Sequence, residues 1–192
     1  PTTGSANTFA FSSTVTTNTR NVRNNIFFNA RSNSGSTGKH YAMRVGGTAP
    51  NPAGLTSSNN DLFANGSGGY TGLFNAIDQT TLGDWQAATG QDAASLSGDP
   101  AFVNPTAATP DLHVDGTNPN SNALNASGAT GLGVLQDFDS EFRGVPPEIG
   151  ADEFNPTCGA PVATAATQQN CANTEYFVNV TLTSLSFAPS VD

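Results

Sequence analysis

Hydrophobic residues in this chain occur in short runs separated by polar turns, and they rarely follow a helical period. Phe9, Phe11 and Val15 fall on odd-numbered positions among Thr and Ser, a spacing typical of a strand with one buried face. The run His40–Val45 predicts another short strand. Only residues 82–94 have apolar spacing that allows one or two turns of helix. The pattern therefore predicts an all-β fold built from short strands.

The clearest regularity is an internal repeat with an offset of 35 residues. The segment NNIFF at 24–28 returns as NNDLF at 59–63. Such a repeat is typical of a solenoid, in which successive turns of backbone stack and bury equivalent apolar positions. Asn tolerates a left-handed backbone, so we expect Asn25 and Asn60 at matching corners, with their amides stacked in a ladder. Ordinary turn chemistry in a β-sandwich is the alternative. The residues expected in or near the core are Phe27, Phe28, Leu62, Phe63, Leu73, Phe74, Leu96, Phe102 and Val103, and Trp85 is expected to be structural.

The composition indicates an extracellular protein. Charged residues make up only 11% of the chain, against about 25% in an average globular protein, so Asn, Thr and Ser must supply the polar surface. The net charge of −9 repels phosphate backbones, and nucleic acid is not expected as a partner. No apolar run approaches the roughly 20 residues of a membrane span, so membrane insertion is not expected either. No signal peptide is recognisable, and because the chain begins at Pro1 we expect it to be a piece of a longer protein.

A family resemblance rests on several short motifs. These are LGDWQA at 82–87, GQDAASL at 90–96, DPAFV at 99–103, DLHV at Asp111–Val114, DFDSEFRG at 137–144 and the acidic closing motif EIGADEF at 148–154. Over residues 20–154 the chain resembles the last coils of a right-handed parallel β-helix repeat protein, of the secreted kind common in Bacteroidota. The resemblance implies that residues 1–154 are the C-terminal coils and cap of such a β-helix. Two departures are SNAL at 121–124, where the family has Ser-Pro-Ala-Ile, and Glu148, where it has Asp.

Residues 155–192 have a different composition and are predicted to begin a second module. Asn155-Pro156-Thr157 is typical of a linker, and residues 175–185 alternate between apolar and polar positions. This segment resembles the first strands of an immunoglobulin- or fibronectin-like sandwich, a common companion in surface proteins exported by the type IX route. About 38 residues cannot complete a sandwich of about 100. Cys158 and Cys171 lack the further Cys or His residues of a zinc site, so we expect a disulfide and an oxidising compartment.

Acidic residues near the end of the predicted β-helix form a candidate metal site. Asp137, Asp139 and Glu141 alternate, which on a strand places their carboxylates on one face. Ca²⁺ binds about six to eight oxygen ligands, so calcium is the one cofactor that this pattern allows; otherwise none is expected. The alternative is structural, with Arg143 clamped by these acids and Asp152 in the same closing motif.

A second candidate site is a basic cluster of Lys39, His40, Tyr41 and Arg44. The resemblance alone permits a lyase interpretation, in which such a base acts beside a charge-neutralising cation. The alternative is an ordinary solvated surface. A glycosidase needs two carboxylates that face each other across a cleft. The candidate carboxylates, which no pattern pairs, are Asp61, Asp78, Asp84 and Asp92. His113 lies in a predicted strand and is expected to be structural.

The leading functional hypothesis is a noncatalytic structural or adhesive part of a large secreted or cell-surface protein, which contacts polysaccharide or another surface protein. One alternative is a fragment of a β-helix polysaccharide lyase or glycoside hydrolase whose catalytic coils lie N-terminal. A second alternative is a filament subunit, because exposed strand edges can pair between molecules. A groove lined by Lys39, His40 and several acids would favour the enzyme, whereas a flat Thr/Asn face would favour the scaffold or adhesin.

Overall fold

The computed structural model describes residues 5–33 and 37–156 and, further along, the backbone of two strands at 162–170 and 175–184. Strands dominate, so the coarse prediction of an all-β chain is confirmed. They are β1 (Thr8–Ser13), β2 (Arg20–Arg23), β3 (Ile26–Asn29), β4 (His40–Val45), β5 (Leu55–Ser58), β6 (Asp61–Ala64), β7 (Gly69–Phe74), β8 (Ile77–Gln79), β9 (Phe102–Asn104), β10 (Asp111–Val114), β11 (Val162–Asn170) and β12 (Glu175–Ser184). One α-helix, α1 (Leu82–Thr89), and one 3₁₀-helix, Pro119–Ala123, interrupt them. Within the described residues, no helix has the length and apolar character needed to cross a membrane.

The first seven strands form three sets of parallel pairs. β1 pairs with β4 and β4 with β7, β2 pairs with β5, and β3 pairs with β6. A parallel bridge from Asp61 to Leu96 continues the third set. Paired residues are 29 to 35 positions apart in sequence, so successive passes of the chain lie beside one another in the same order. β8 then extends the first sheet by an antiparallel pairing with β7.

The pairing of β3 with β6 has the register that the internal repeat predicts. Phe27 lies beside Leu62, and Phe28 lies beside Phe63. Because side chains alternate along a strand, Leu62 is fully buried with Phe27 packed in the same core, whereas Phe28 and Phe63 are only half-buried. Phe28 and Phe63, predicted in or near the core, stack on each other outside the main core cluster. The prediction is wrong for Val103, whose surface is 54% exposed.

The helix α1 covers the main core with Trp85, which is completely buried. A capping box between Thr81 and Asp84 begins the helix, and Gly90, in a left-handed conformation, ends it. Gly72 of β7 makes room for the indole, since a Cβ atom at this position would lie 2.2 Å from the ring. The buried members of this core are Val22, Ala42, Met43, Val45, Leu55, Leu62, Phe74 and Trp85.

The segment that follows α1 closes this unit without further parallel strands. β9 and β10 pair antiparallel, and Val114, Leu124 and Ile149 form a second, smaller core. The chain then passes back over the corners of the earlier strands. Asn24 exchanges two hydrogen bonds with the backbone of Ala129, and the Asn59 amide donates to the Ser127 carbonyl at 3.0 Å.

The chain divides into two compact units, residues 1–155 and residues 156–192. In the second unit β11 and β12 form an antiparallel pair. Cys158 and Cys171 lie outside the described residues, so the disulfide and the sandwich-like module stay predictions.

Candidate functional site

Asn25 and Asn60 lie at equivalent corners of successive turns, each directly after a residue with positive φ. Asn24 has φ of 58° and Asn59 of 52°. The Asn60 side-chain oxygen accepts hydrogen bonds from the backbone and the side-chain amide of Asn25, at 3.0 and 3.2 Å. In turn, the hydroxyl of Ser95 accepts the Asn60 backbone N–H at 2.9 Å. The predicted ladder thus has three positions, with a serine at the third.

A buried carboxylate, Asp92, lies inside this ladder. It accepts hydrogen bonds from the Trp85 indole at 2.8 Å, from the hydroxyls of Ser57 and Ser95 at 2.9 and 2.7 Å, and from the Asn60 amide at 3.0 Å. These donors belong to α1, β5 and the adjacent corner. Trp85 therefore has a polar structural contact besides its packing. Asp92, which the sequence suggests only as a glycosidase candidate, is a structural residue.

The first sheet has a row of aromatic rings, here called the aromatic face, made of Phe9, Tyr41 and Tyr70. These residues are direct neighbours in the registers of β1, β4 and β7. The Phe9 and Tyr41 rings are stacked with centroids 5.2 Å apart, and the Tyr41 and Tyr70 centroids are 5.5 Å apart. Tyr41 is enclosed by the two outer rings, which are half-buried. The result is a stack of three rings in which only the two outer members are partly exposed.

Charged groups border the aromatic face. Lys39 forms an ion pair with Asp78, and the Tyr41 hydroxyl donates to the same carboxylate at 2.8 Å. Burial raises the pKa of Asp78, but the hydrogen bonds from Lys39 and Tyr41 outweigh it and lower the pKa below the usual value. Arg44 lies over the Phe9 ring at 5.0 Å, and Lys39 lies over Tyr70 at 5.4 Å. Positive side chains (Lys39 and Arg44) and one carboxylate (Asp78) therefore lie next to the aromatic face.

The predicted basic cluster is divided by the fold. His40 is fully buried, with its Nδ1 atom 2.8 Å from the Thr8 hydroxyl. Its Nε2 atom has no hydrogen-bond partner among the described residues. Of the predicted cluster, Tyr41 belongs to the aromatic face, and Lys39 and Arg44 lie over its two outer rings. A base at His40 would be out of reach of a substrate on that face.

The candidate carboxylates for glycoside hydrolysis serve separate local contacts. Asp84 belongs to the capping box, Asp78 binds Lys39, and Asp92 lies in the ladder. Asp61 is 1% exposed, and burial raises its pKa to about 6, although one of its oxygens accepts the Gly98 N–H at 3.0 Å. None of the four lines the cavity beside the closing segment, described below, or a smaller one beside Phe9 and Phe28.

The larger cavity, here called the cleft, has a volume of about 1460 Å³ and lies between the first turn and the closing segment. Its walls are mainly apolar, and several of them are exposed to solvent: Leu135 is 74% exposed and Phe142 82%. Other apolar side chains that line it are Ile26, Phe27, Phe102, Leu112, Val134 and Phe138.

His113 and a group of carboxylates line one side of the cleft. The His113 Nδ1 atom is 2.6 Å from an Asp111 oxygen, and Nε2 is 2.7 Å from an Asp139 oxygen. These two hydrogen bonds, from Asp111 first and Asp139 second, raise the pKa of His113 to about 9. The buried Asp152 accepts the Val114 N–H at 2.7 Å. One potential ligand atom each from His113, Asp139 and Asp152 lies within 4.8 Å of the others.

The predicted calcium ligands do not converge. Asp137 accepts the backbone N–H groups of Asp139 and Glu141, both at 2.9 Å, through one oxygen, and that of Glu153 at 3.0 Å through the other. Burial raises the pKa of Asp137, but these hydrogen bonds outweigh burial and hold the pKa below its usual value. Asp137 therefore stabilises a turn, and Glu141 is exposed. Only Asp139 joins the cluster with His113, which sequence spacing could not suggest because 26 residues separate them.

Arg143 is held in the closing segment by three acceptors. Its guanidinium donates to the Gly150 carbonyl at 2.9 Å and to the Glu148 carbonyl at 2.7 Å, and it pairs with a Glu153 oxygen at 2.9 Å. Both charged side chains are largely buried. Burial and the neighbouring Glu153 raise the pKa of Glu148. These contacts fit the structural role that the sequence allowed for Arg143 as the alternative to a calcium site. The acidic side chain that pairs with Arg143 is Glu153.

Comparisons with protein-family models, with curated proteins and with solved structures give no match for this chain. Its function must therefore be argued from the contacts described above.

Proposed function

We propose that residues 1–154 are the C-terminal coils and cap of a right-handed parallel β-helix, and that this rod is a noncatalytic structural or adhesive part of a secreted or cell-surface protein. The observation that supports it is the stacked parallel pairing at a repeat of about one coil, with Phe27 beside Leu62 and Asn25 bonded to Asn60. In such a solenoid each turn contacts only its neighbours, which gives a stiff, extended body.

The interior favours a load-bearing role over a catalytic one. The buried polar groups of the corner ladder, Asp92, Ser57 and Asn60, are hydrogen-bonded to one another. Fully satisfied buried networks make a core rigid. His40 is enclosed, and Lys39 is paired with Asp78, so neither is placed as a free base for lyase chemistry.

The aromatic face is the surface best suited to polysaccharide. The C–H faces of pyranose rings are flat and apolar and can pack on exposed aromatic rings, while the sugar hydroxyls remain in water. Phe9 and Tyr70 are the half-buried rings at the two ends of the stack and are the ones that a sugar can reach, whereas Tyr41 between them is buried. Lys39 and Asp78 beside it supply donors and acceptors for hydroxyl groups. We infer that this face contacts a glycan chain laid across the strands.

The test is to incubate the intact chain with a panel of neutral and acidic polysaccharides, measuring both binding and the release of reducing or unsaturated ends. We expect saturable binding without cleavage. Tyr70→Ala should weaken binding about tenfold, the equivalent of about 1.4 kcal/mol. Phe63→Ala is the matched control, because it removes a half-buried ring from a stack with Phe28 on a different sheet.

Two results would contradict the proposal. New chain ends would show catalysis and favour the lyase or glycosidase alternative. Equal loss of binding in Tyr70→Ala and Phe63→Ala, or no binding to any polysaccharide, would remove the aromatic face as a glycan contact and leave only a structural role.

A further inference from the structure

We propose that His113, Asp139 and Asp152 form a binding site for Zn²⁺, or for a similar transition-metal dication, beside the cleft. The three residues come from β10, from the turn after Asp137 and from the closing motif, and their ligand atoms lie within 4.8 Å of one another. One imidazole nitrogen and two carboxylate oxygens, with water in a fourth position, are a ligand set that zinc accepts. The site is separate from the aromatic face and does not depend on the glycan proposal.

Neighbouring groups already orient the three ligands. Asp111 contacts His113 Nδ1 at 2.6 Å, and a carboxylate at this nitrogen is the usual arrangement that directs Nε2 towards a metal. The backbone N–H of Asp139 donates to Asp137 at 2.9 Å. The Val114 N–H fixes one oxygen of Asp152 at 2.7 Å.

The geometry requires only modest side-chain movement. In a tetrahedral zinc site, ligand atoms at about 2.1 Å from the metal are about 3.4 Å from one another. The contact between His113 Nε2 and Asp139, now 2.7 Å, would open by less than an ångström, and the remaining separations, at most 4.8 Å, would close. The His113 and Asp139 side chains are 43% and 41% exposed, so both can move, whereas the buried Asp152 is the fixed ligand.

The ligand chemistry favours zinc over calcium. Calcium binds only oxygen ligands and needs about six to eight of them, whereas imidazole is a good ligand for zinc, copper and nickel. Both oxygens of Asp137 accept backbone N–H groups, so this carboxylate is not available to complete an oxygen shell. The local charge also suits a dication, because Asp111, Asp139 and Asp152 surround a single imidazole.

Metal binding here would join three segments of the closing region. β10 is linked to the turn by the contact of His113 with Asp139 and to the closing motif by the Val114 N–H on Asp152. The turn is linked to the closing motif by the N–H groups of Phe138 and Glu153. A ligand that binds the folded state alone stabilises it by RT ln(1 + [L]/Kd), so the gain grows with the logarithm of its concentration above Kd. Zinc is thus expected to raise the thermal stability of the intact chain.

The experiment is a calorimetric titration of the chelator-treated, intact chain with ZnCl₂, followed by thermal unfolding with and without zinc. We expect one equivalent of zinc whose affinity falls at least about tenfold in His113→Gln and in Asp139→Asn. Both residues are half-exposed, so the variants should fold. Glu141→Gln is the control, since it removes an exposed acid of the same turn and should bind like the parent. Replacing zinc with Co²⁺ should give visible d–d bands that are lost in His113→Gln.

Three results would overturn the proposal. The first is the absence of saturable zinc binding. The second is zinc binding that is unchanged in both His113→Gln and Asp139→Asn, which would locate the ion elsewhere in the chain. The third is preferential binding of Ca²⁺ that is lost in Glu141→Gln, which would restore the ligand set suggested by the sequence.

Discussion

Polar groups are paired differently in two regions of the chain, the stacked turns (residues 8–96) and the closing segment (residues 97–154). In the stacked turns, Asn25, Asn60 and Ser95 repeat one hydrogen-bonding position from turn to turn, and Asp92 satisfies the donors around it. In the closing segment, the half-exposed carboxylates of Asp111 and Asp139 and the buried carboxylate of Asp152 surround His113, and large apolar side chains such as Phe142 remain exposed.

Because of this difference, we expect the stacked turns to contribute most of the stability and the closing segment to bind ligands. Buried networks with every donor satisfied make a region rigid, and removing one member is costly. A half-exposed cluster of acids beside an apolar cleft contributes little to folding, because solvent screens exposed charge pairs. The stacked turns are therefore a scaffold, and the closing segment is the part that has adjustable side chains for a ligand.

The largest expected effect is from Asp92→Asn in the stacked turns. The amide would direct its N–H₂ group at the donors of Trp85 or of Ser57 and Ser95, leaving buried donors unpaired. We expect a loss of about 3 kcal/mol or more in the free energy of unfolding. Denaturant unfolding measures it.

The same substitution in the closing segment, Asp139→Asn, is the matched comparison for Asp92→Asn. Without added metal it should cost less than about 1 kcal/mol, because its partner His113 is half-exposed. Equal effects from the two variants would show that the two regions do not differ in the way their contacts indicate.

A smaller effect, and one that depends on pH, is expected from Asp61→Asn. Burial raises the pKa of Asp61 from 3.8 to about 6 in the folded chain, so the protonated form is favoured there. The parent should lose stability as pH rises from about 4 through about 6, and Asp61→Asn should not. The difference between the two should grow by about 3 kcal/mol or somewhat less.

Unfolding curves of the Asp61→Asn variant and the parent at pH 4, 5, 6 and 7 provide the measurement, with pH 4 as the internal reference. The Gly98 N–H can still donate to the amide oxygen of the variant. A difference that stays constant over this range would mean that Asp61 reaches water in the folded chain.

The sequence could predict the stacked turns because their environment recurs. The 35-residue repeat predicted the pairing of Phe27 with Leu62 and matching corners at Asn25 and Asn60, although the left-handed residues are the preceding Asn24 and Asn59. It could not distinguish Phe27 from Phe28, because both are aromatic and only strand alternation assigns one to the core.

The closing segment was far harder to predict. The alternation of Asp137, Asp139 and Glu141 suggests a strand, but these residues form a turn in which Asp137 binds backbone N–H groups. The partner of Asp139 is His113, which belongs to β10. Contacts between segments without a repeat leave no periodic signal in a single sequence. The same holds for His40, whose burial is decided by its place in β4 between two other strands.

The smallest expected effect comes from Phe142→Ala in the closing segment. Phe142 is 82% exposed, so its truncation removes little buried surface and should change the free energy of unfolding by less than about 0.5 kcal/mol. Truncating a buried core phenylalanine, by contrast, costs about 3–5 kcal/mol. Phe74 is such a residue, at 3% exposure, and Phe74→Ala is the matched control in denaturant unfolding. A cost above about 2 kcal/mol for Phe142→Ala would mean that its ring is covered in solution, and the cleft would then be a packed core that offers no room for a ligand.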